Sequence, residues 1–347
     1  MTPPVPSLPT VTVLVPCRNE ARHIVECLDS LLAQDLAPDR CEIVVVDGMS
    51  DDGTRERVRE HAARHPRIRL VDNPARTTPV ALNTGIRDAR GEVIVRADAH
   101  VLYPTDYVRR LVEALEETGA DNVGGVLATI PANDGPVARG IAVAMAHPLG
   151  VGNSYFRIGT KEPRWVDTIA FFCCRRELFD RVGFFDEDLL RAQDAEFNSR
   201  LRAKGGRILL VPDVVARYYA RATFRQVARM FYQYGYFKPL MARKLGRVVT
   251  LRQMVPAAFL LALVGSALLA LAVPLARPLF AAIAGTYLAA IAVAAIRSAP
   301  RLGPRGTLAL AAVFPVLHLS YGWGFLRRLF EFAVRPGVRP AEIPLSR

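Results

Sequence analysis

Three observations place this 347-residue chain among α/β proteins that end in membrane helices. Short Val- and Ile-rich runs alternate with segments of helical spacing in the N-terminal part. Acids follow the second and third of those runs, and no glycine-rich fingerprint follows the first. Beyond Arg252 the composition switches to long stretches without charge. Together these predict a Rossmann-like, mostly parallel sheet over residues 10–245. They further predict transmembrane helices within residues 254–330, a flexible N-terminus (1–9) and a basic tail (331–347).

The apolar runs are residues 11–15, 42–46 and 92–95, each bounded by turn formers, as strands of a buried parallel sheet require. Helical spacing covers residues 21–33, 54–63 and 78–88 between them. In such sheets ligands gather at the carboxyl ends of the strands, so the residues just after each run carry the functional expectation. The opening MTPPVPSLP has neither a basic nor an apolar signal region, so no signal peptide is expected.

Residues 254–273 hold no charge, long enough to span a hydrocarbon layer of about 30 Å as a helix. Residues 278–296 form a second uncharged run. A third, residues 307–326, contains Pro315, His318 and the Tyr321–Gly–Trp–Gly324 cluster. One such run fits a buried core helix equally well; three in succession point to a membrane. Arg243, Lys244, Arg247 and Arg252 precede the first run, and Arg297, Arg301 and Arg305 separate the second from the third. Only Arg277 lies between the first two. The positive-inside rule puts the N-terminal domain in the cytoplasm. Three full crossings would then place Arg327, Arg328, Arg335 and Arg339 outside, whereas a re-entrant or interfacial third run would not; two or three crossings remain open.

Half the residues (51%) are hydrophobic, which supplies a sizeable core and argues against disorder. Five cysteines without a CxxC pair argue against a disulfide scaffold or structural zinc. The net charge is +12, and nine Arg against two acids beyond Arg252 give +7 of it. The basic excess flanks the apolar runs, so its partner is a membrane face and not a nucleic acid.

After the first strand stands Pro16-Cys17-Arg18-Asn19-Glu20, with neither the GxGxxG of a dinucleotide enzyme nor a P-loop. After the second comes Asp47-Gly48-Met49-Ser50-Asp51-Asp52-Gly53-Thr54, and after the third Arg96-Ala97-Asp98-Ala99-His100. An acid ending the second strand can accept from a ribose or a base N–H. The Ser-Asp-Asp-Gly-Thr stretch fits a turn and helix cap as well. Asp98 and His100, two apart after a strand, suit one Mn²⁺ better than Mg²⁺, since imidazole joins carboxylate; a solvated strand end is the plainer alternative.

Residues 13–20, 44–54, 83–100 and 193–201, in that order, resemble the family 2 glycosyltransferases of GT-A fold. Within that family they look like the membrane-bound succinoglycan-biosynthesis ExoA-like enzymes, through Asp98-Ala-His100, Asp194-Ala-Glu196 and residues 233–238. The resemblance covers residues 10–240. It implies that Pro16, Arg18 and Glu20 line the nucleotide pocket and that Asp47 holds base or ribose. It implies that Asp98 faces the nucleotide-sugar, and that Asp98 with His100 replaces the usual Asp-x-Asp at a divalent cation (Mn²⁺ or Mg²⁺). Asp194 would be the catalytic base and Glu196 a supporting acid near the substrate. Two departures stand out: His100 replaces an Asp, and Gln193 replaces a frequent Glu.

An inverting transfer needs a neutralised leaving diphosphate, an acceptor hydroxyl that loses a proton, and in-line geometry. Asp194 opens a helix-like run, where the dipole alone also favours an acid. The function implied is transfer from a nucleotide-sugar, UDP-linked, to a membrane-associated, polyprenyl-linked acceptor in exopolysaccharide or cell-envelope glycan synthesis. A polyprenyl-phosphate glycosyl synthase and a non-catalytic scaffold in a polysaccharide assembly complex are the alternatives. Residues 231–237 read as an interfacial aromatic belt or as the floor for a lipid phosphate, with Lys238, Arg243 and Lys244 as partners. Asp167-Thr168 is an acceptor-site candidate, Arg175 and Arg176 are phosphate contacts or a solvated pair, and Cys173 and Cys174 read as buried small apolar residues.

Overall fold

The computed structural model describes residues 9–248 and 250–334, so most of the expected flexible N-terminus and most of the basic tail, Arg335 and Arg339 included, lie outside it. In chain order the elements are β1 (Val11–Cys17), α1 (Ile24–Leu32), β2 (Cys41–Asp47), α2 (Thr54–Arg64), β3 (Ile68–Asp72), α3 (Thr78–Asp88) and β4 (Val93–Arg96). Then follow β5 (Val101–Leu102), α4 (Tyr107–Thr118), β6 (Asn122–Ile130), α5 (Pro136–Met145), α6 (Pro148–Val151), α7 (Tyr155–Ile158), β7 (Arg164–Trp165) and β8 (Cys173–Arg175). The chain continues with α8 (Leu178–Val182), α9 (Gln193–Ala203), β9 (Ile208–Tyr219), α10 (Phe224–Leu245), α11 (Val255–Ala272) and α12 (Arg277–Val334).

Two compact units result. The first runs up to Ala128 and resumes from Ile158 to Tyr218; the second holds Thr129–Arg157 and the described residues from Tyr219 to Val334. Composition alone would cut the chain near residue 250. The compact unit reaches further back because α5 and α10 pack on α12.

The sheet runs β3-β2-β1-β4-β8-β6-β9-β5, with β7 against β9. β3, β2, β1 and β4 are parallel, with Val11 beside Cys41 and Val93; β1, β2 and β4 are the expected strands and β3 is an additional one. Val13, Leu14 and Val15 of β1 and Ile43–Val46 of β2 are buried, as central parallel strands covered on both faces must be. β8 runs antiparallel to β4 and to β6, which makes the sheet mixed. Helix α4 buries Tyr107, Val108, Leu111, Val112 and Leu115 on one stripe and stops at Gly119, whose φ of 59° permits the left-handed turn. Phe172, Phe179, Phe185 and Phe197 pack ring against ring at 4.8–6.1 Å between centroids beside α8 and α9.

In the second unit, α11 spans 18 residues and α12 bends at Gly303 (φ 66°, ψ 175°), between Pro300 and Pro304. Both α11 and α12 are long and apolar enough to cross a membrane. Leu261, Leu268, Leu271, Leu275, Leu279 and Leu288 stand exposed on α11, the turn after it and the first part of α12, a surface suited to lipid. The third apolar run is continuous helix through Pro315, yet one face of it is interior: Ala309, Leu310, Val313, Phe314 and Leu317 are buried. It crosses α10 at backbone distance. A Cβ on Gly235 would lie 2.0 Å from the Tyr321 carbonyl oxygen, and one on Gly324 2.1 Å from that of Tyr232. The aromatic run 231–237 accordingly forms core more than belt: Phe231, Tyr236 and Phe237 are buried within this unit.

Candidate active site

The carboxyl ends of β1, β2 and β4 converge as the parallel half of the sheet requires, and their loops are tied side chain to backbone. Ser50 Oγ accepts from the Asn19 amide at 2.7 Å, and Asn19 Oδ1 accepts from the Asp51 amide. Thr54 Oγ1 accepts from the Glu20 amide at 2.8 Å, and Asp52 accepts from the amides of Ala21 and Thr54. The Ser-Asp-Asp-Gly-Thr stretch therefore serves as turn and helix start. Asn19, Met49 and Ala192 adopt left-handed φ angles of 53°, 55° and 66°, a conformation Asn tolerates and one that is uncommon for Met and Ala.

Asp47 is fully buried. Its carboxylate accepts from the Ser50 hydroxyl and amide and from Arg55 Nη1 at 2.7 Å; the other arm of Arg55 reaches Asp72. Burial alone would raise its pKa, but the Ser50 and Arg55 contacts outweigh that and hold the carboxyl below its ordinary value. These contacts make Asp47, expected to hold base or ribose, an organiser of the loop that follows β2. Pro16 pairs in register with Val46, and the Arg18 stem lies against Gly48.

At the end of β4 the structure assembles what the sequence left apart. Arg96, 5% exposed, donates from Nε to Asp98 Oδ1 at 2.9 Å and from Nη1 to Asp194 Oδ1. Its guanidinium sits 5.5 Å from the Phe171 ring centroid. Burial opposes its charge, but Asp194 and then Asp98 more than compensate, so its pKa is raised. The Asp98 backbone is held by Tyr103, whose hydroxyl oxygen accepts from the Asp98 amide at 2.7 Å. His100 Nδ1 lies 3.2 Å from Glu20 Oε1, off the line of a good hydrogen bond, and is enclosed without an aligned partner; the ring meets Tyr218 edge-on at 5.4 Å.

Asp194 is the second residue of α9, where the helix dipole favours a carboxylate. The loop leading to it is fixed by Asn83 of α3, which donates to the Phe185 carbonyl and to Glu187 Oε1 at 2.9 Å and accepts from the Phe185 amide. Glu196 requires a correction. Expected as a supporting acid at the substrate, it is buried and pairs with Arg200 through both oxygens. Arg200 in turn donates to the Val182 and Phe184 carbonyls. Two helix positions are about 200° apart, so Glu196 faces the core when Asp194 faces Arg96.

A model of the family described as Glycosyl transferase family 2 matches residues 12–183. The succinoglycan biosynthesis protein ExoA of Rhizobium meliloti is 34% identical over 326 residues, 93% of this chain and 96% of that protein. The chain belongs to glycosyl transferase family 2. A glucuronosyltransferase of Methanococcus voltae, named for action on a dolichyl N-acetylglucosaminyl phosphate, is 28% identical over 67% of this chain and 74% of its own. Among solved structures, the mannosyltransferase PcManGT of Pyrobaculum calidifontis, in complex with GDP-Man and Mn²⁺, superposes with a TM-score of 0.57. It is 25% identical and covers 94% of this chain and 88% of its own.

The transferase has the GT-A fold. By donor type Asp98 and His100 fit a divalent cation, a carboxylate with an imidazole whose Nδ1 has no aligned hydrogen-bond partner; Nδ1 lies 3.2 Å from Glu20 Oε1, and Asp98 Oδ1 is held by Arg96. Among the described residues no group of three or more His, Cys, Asp or Glu closes on one point. Other candidates fall elsewhere. Arg175 pairs with Glu116, Cys173 and Cys174 are buried, and Thr168 accepts from Asn198. Asp167 lines a groove of about 560 Å³ with Trp165, Arg202 and Arg207, at the C-terminal end of α9, opposite to the end that carries Asp194. Sequence reasoning missed Arg96, Tyr103 and Asn83. For Arg96 and Asn83 the available signal was a charged or amide group inside an apolar or helical run; Tyr103 offered no such signal.

Proposed function

We propose that this transferase moves a sugar, with inversion, from a nucleotide-diphosphate sugar to a polyprenyl-linked acceptor in exopolysaccharide or envelope glycan synthesis. The observation that carries the reading is Asp98 and Asp194 held on one guanidinium at the strand ends. Asp194 accepts the proton of the acceptor hydroxyl. That oxygen bonds to the anomeric carbon, and the bond to the diphosphate breaks with its electron pair leaving on the nucleotide. Asp98 and His100 hold a divalent cation, Mn²⁺ by donor type, which when bound neutralises the leaving diphosphate. Pro16, Arg18, Glu20 and the loop ordered by Asp47 line the nucleotide side, UDP in our reading. The Mn²⁺ and GDP-Man in the PcManGT complex support the cation and keep GDP as the other donor to test.

The lipid-phosphate acceptor in the Methanococcus relative's name supports a lipid-linked acceptor here. For the membrane we propose two crossings, α11 and the part of α12 before Gly303, with the rest of α12 packed on α5 and α10. At 1.5 Å per residue, α11 is about 27 Å long, near the ~30 Å required. Two crossings put Arg297, Arg301, Arg305, Arg327 and Arg328 on the side of Arg243 and Lys244, the cytoplasm, and leave Arg277 outside.

Calorimetric titration of the detergent-solubilised protein with UDP and with GDP, each with and without Mn²⁺, tests this. Mn²⁺-dependent UDP binding supports the reading, and GDP preference moves the donor. No binding of either removes transfer and leaves a scaffold. A product labile to mild acid, carrying a single sugar on a monophosphate, would instead identify a polyprenyl-phosphate synthase.

A further inference from the structure

We infer that Arg96 is a positioning residue for the transfer: by bridging Asp98 to Asp194 it fixes the proton-accepting carboxylate relative to the donor's diphosphate. The inference rests on the transferase reading above and adds to it a residue outside the expected nucleotide, metal and base sets.

A guanidinium that is 5% exposed is unusual, because an ionised group taken out of water is tolerated only when paired and hydrogen-bonded. Here each contact removes one freedom. Nε holds Asp98, Nη1 holds Asp194 and lies 3.5 Å from the Ala170 carbonyl, and Phe171 lies 5.5 Å from the guanidinium carbon. The backbone behind the group is equally fixed: the Arg96 amide donates to the Phe172 carbonyl and the Ala97 amide to that of Leu14. The cation is thus carried by the sheet itself and not by a loop.

The two carboxylates it joins are 96 residues apart and arrive on different elements, one after β4 and one on α9. A buried guanidinium needs anionic partners in any fold; on the transferase reading these two are also the carboxylates at the reacting ends. One faces the leaving diphosphate and the other the attacking hydroxyl, and in-line displacement depends on the distance between those two ends. Misplacement by about 1 Å costs about 100-fold in such reactions. The bond from Arg96 Nη1 to Oδ1 helps to orient the Asp194 carboxylate plane. A lysine would keep the charge, but its single nitrogen cannot span both carboxylates as a planar guanidinium does.

The test uses full-length protein in detergent, as wild type, Arg96→Lys and Arg96→Ala. Sugar transfer is measured from UDP-glucose, UDP-galactose and GDP-mannose with Mn²⁺ into a polyprenyl-phosphate-sugar lipid extract, and UDP and GDP binding by calorimetry. We expect Arg96→Lys to keep nucleotide affinity and donor KM within about threefold while kcat falls about 10–100-fold. Methylguanidinium should restore part of kcat to Arg96→Ala and none to Arg96→Lys, a response that loss of folding would not give. Wild-type kcat in Arg96→Lys overturns the inference. A loss confined to donor KM and nucleotide affinity also overturns it, by making Arg96 a donor contact.

The melting temperatures of Arg96→Ala, Asp194→Asn and the double variant give a readout independent of turnover. Non-additive shifts report the contact, and additive shifts remove it and the inference with it. If the wild type transfers from none of the three donors, the transferase reading fails first. The positioning role then falls with it, although non-additive melting shifts would persist.

Discussion

Asp194 and Glu196 stand two residues apart on α9 and serve opposite sides of it: Asp194 meets Arg96 at the strand ends, while Glu196 is clamped by Arg200 in the core. This division predicts that the two conservative replacements fail in different assays. Asp194→Asn should lower kcat by about 10²–10⁴-fold, the range of a lost general base, with nucleotide binding intact. Glu196→Gln should leave kcat within about twofold and cost about 1.5–3 kcal/mol of stability, since Arg200 loses its charged partner. Transfer assays and thermal unfolding on the same preparations check both, and equal loss of turnover would return Glu196 to the site.

His100→Ala should weaken Mn²⁺ by at least about tenfold in a titration at fixed nucleotide, because one of two protein donors is lost. Asp98→Asn should do the same. Nucleotide binding that needs no Mn²⁺ in the wild type would exclude this pair as the cation's holders.

Asp47 predicts a pH dependence of stability. Its carboxyl is held below the ordinary value by Ser50 and Arg55, against the effect of burial. A depressed folded pKa contributes stability that is complete above the unfolded value near about 3.9 and is lost as pH falls through the folded one. Asp47→Asn should therefore be less stable at pH 7 by about 1.5–3 kcal/mol, with the gap to wild type closing on acidification below about pH 4. Denaturant midpoints across pH 3–7 measure it, and a gap independent of pH would refute the electrostatic account.

Two glycines separate packing from propensity in the second unit. Gly235→Ala puts a methyl 2.0 Å from the Tyr321 carbonyl and should cost about 1–3 kcal/mol by overpacking α10 against α12. Gly265→Ala meets no atom within 4 Å and should gain about 0.5–1 kcal/mol of helix propensity. The sign of the melting-temperature shift in detergent distinguishes them.

The sequence by itself determined three of the four parallel strands, β1, β2 and β4, the three apolar runs and the residues at the strand ends. Periodicity and strand-end chemistry are local properties that survive in one dimension. Helices 54–63 and 78–88 appear within a residue of their expected limits, as α2 and α3. The short strands β5, β7 and β8 left no pattern, since two or three residues cannot establish a period. Only the tertiary structure decided that Glu196 turns away from the strand ends, that Ser50 and Arg55 hold Asp47, and that Arg96 joins Asp98 to Asp194. Each of these depends on which groups fold into one desolvated space, where a charge must find a partner, and no spacing along the chain specifies that partner.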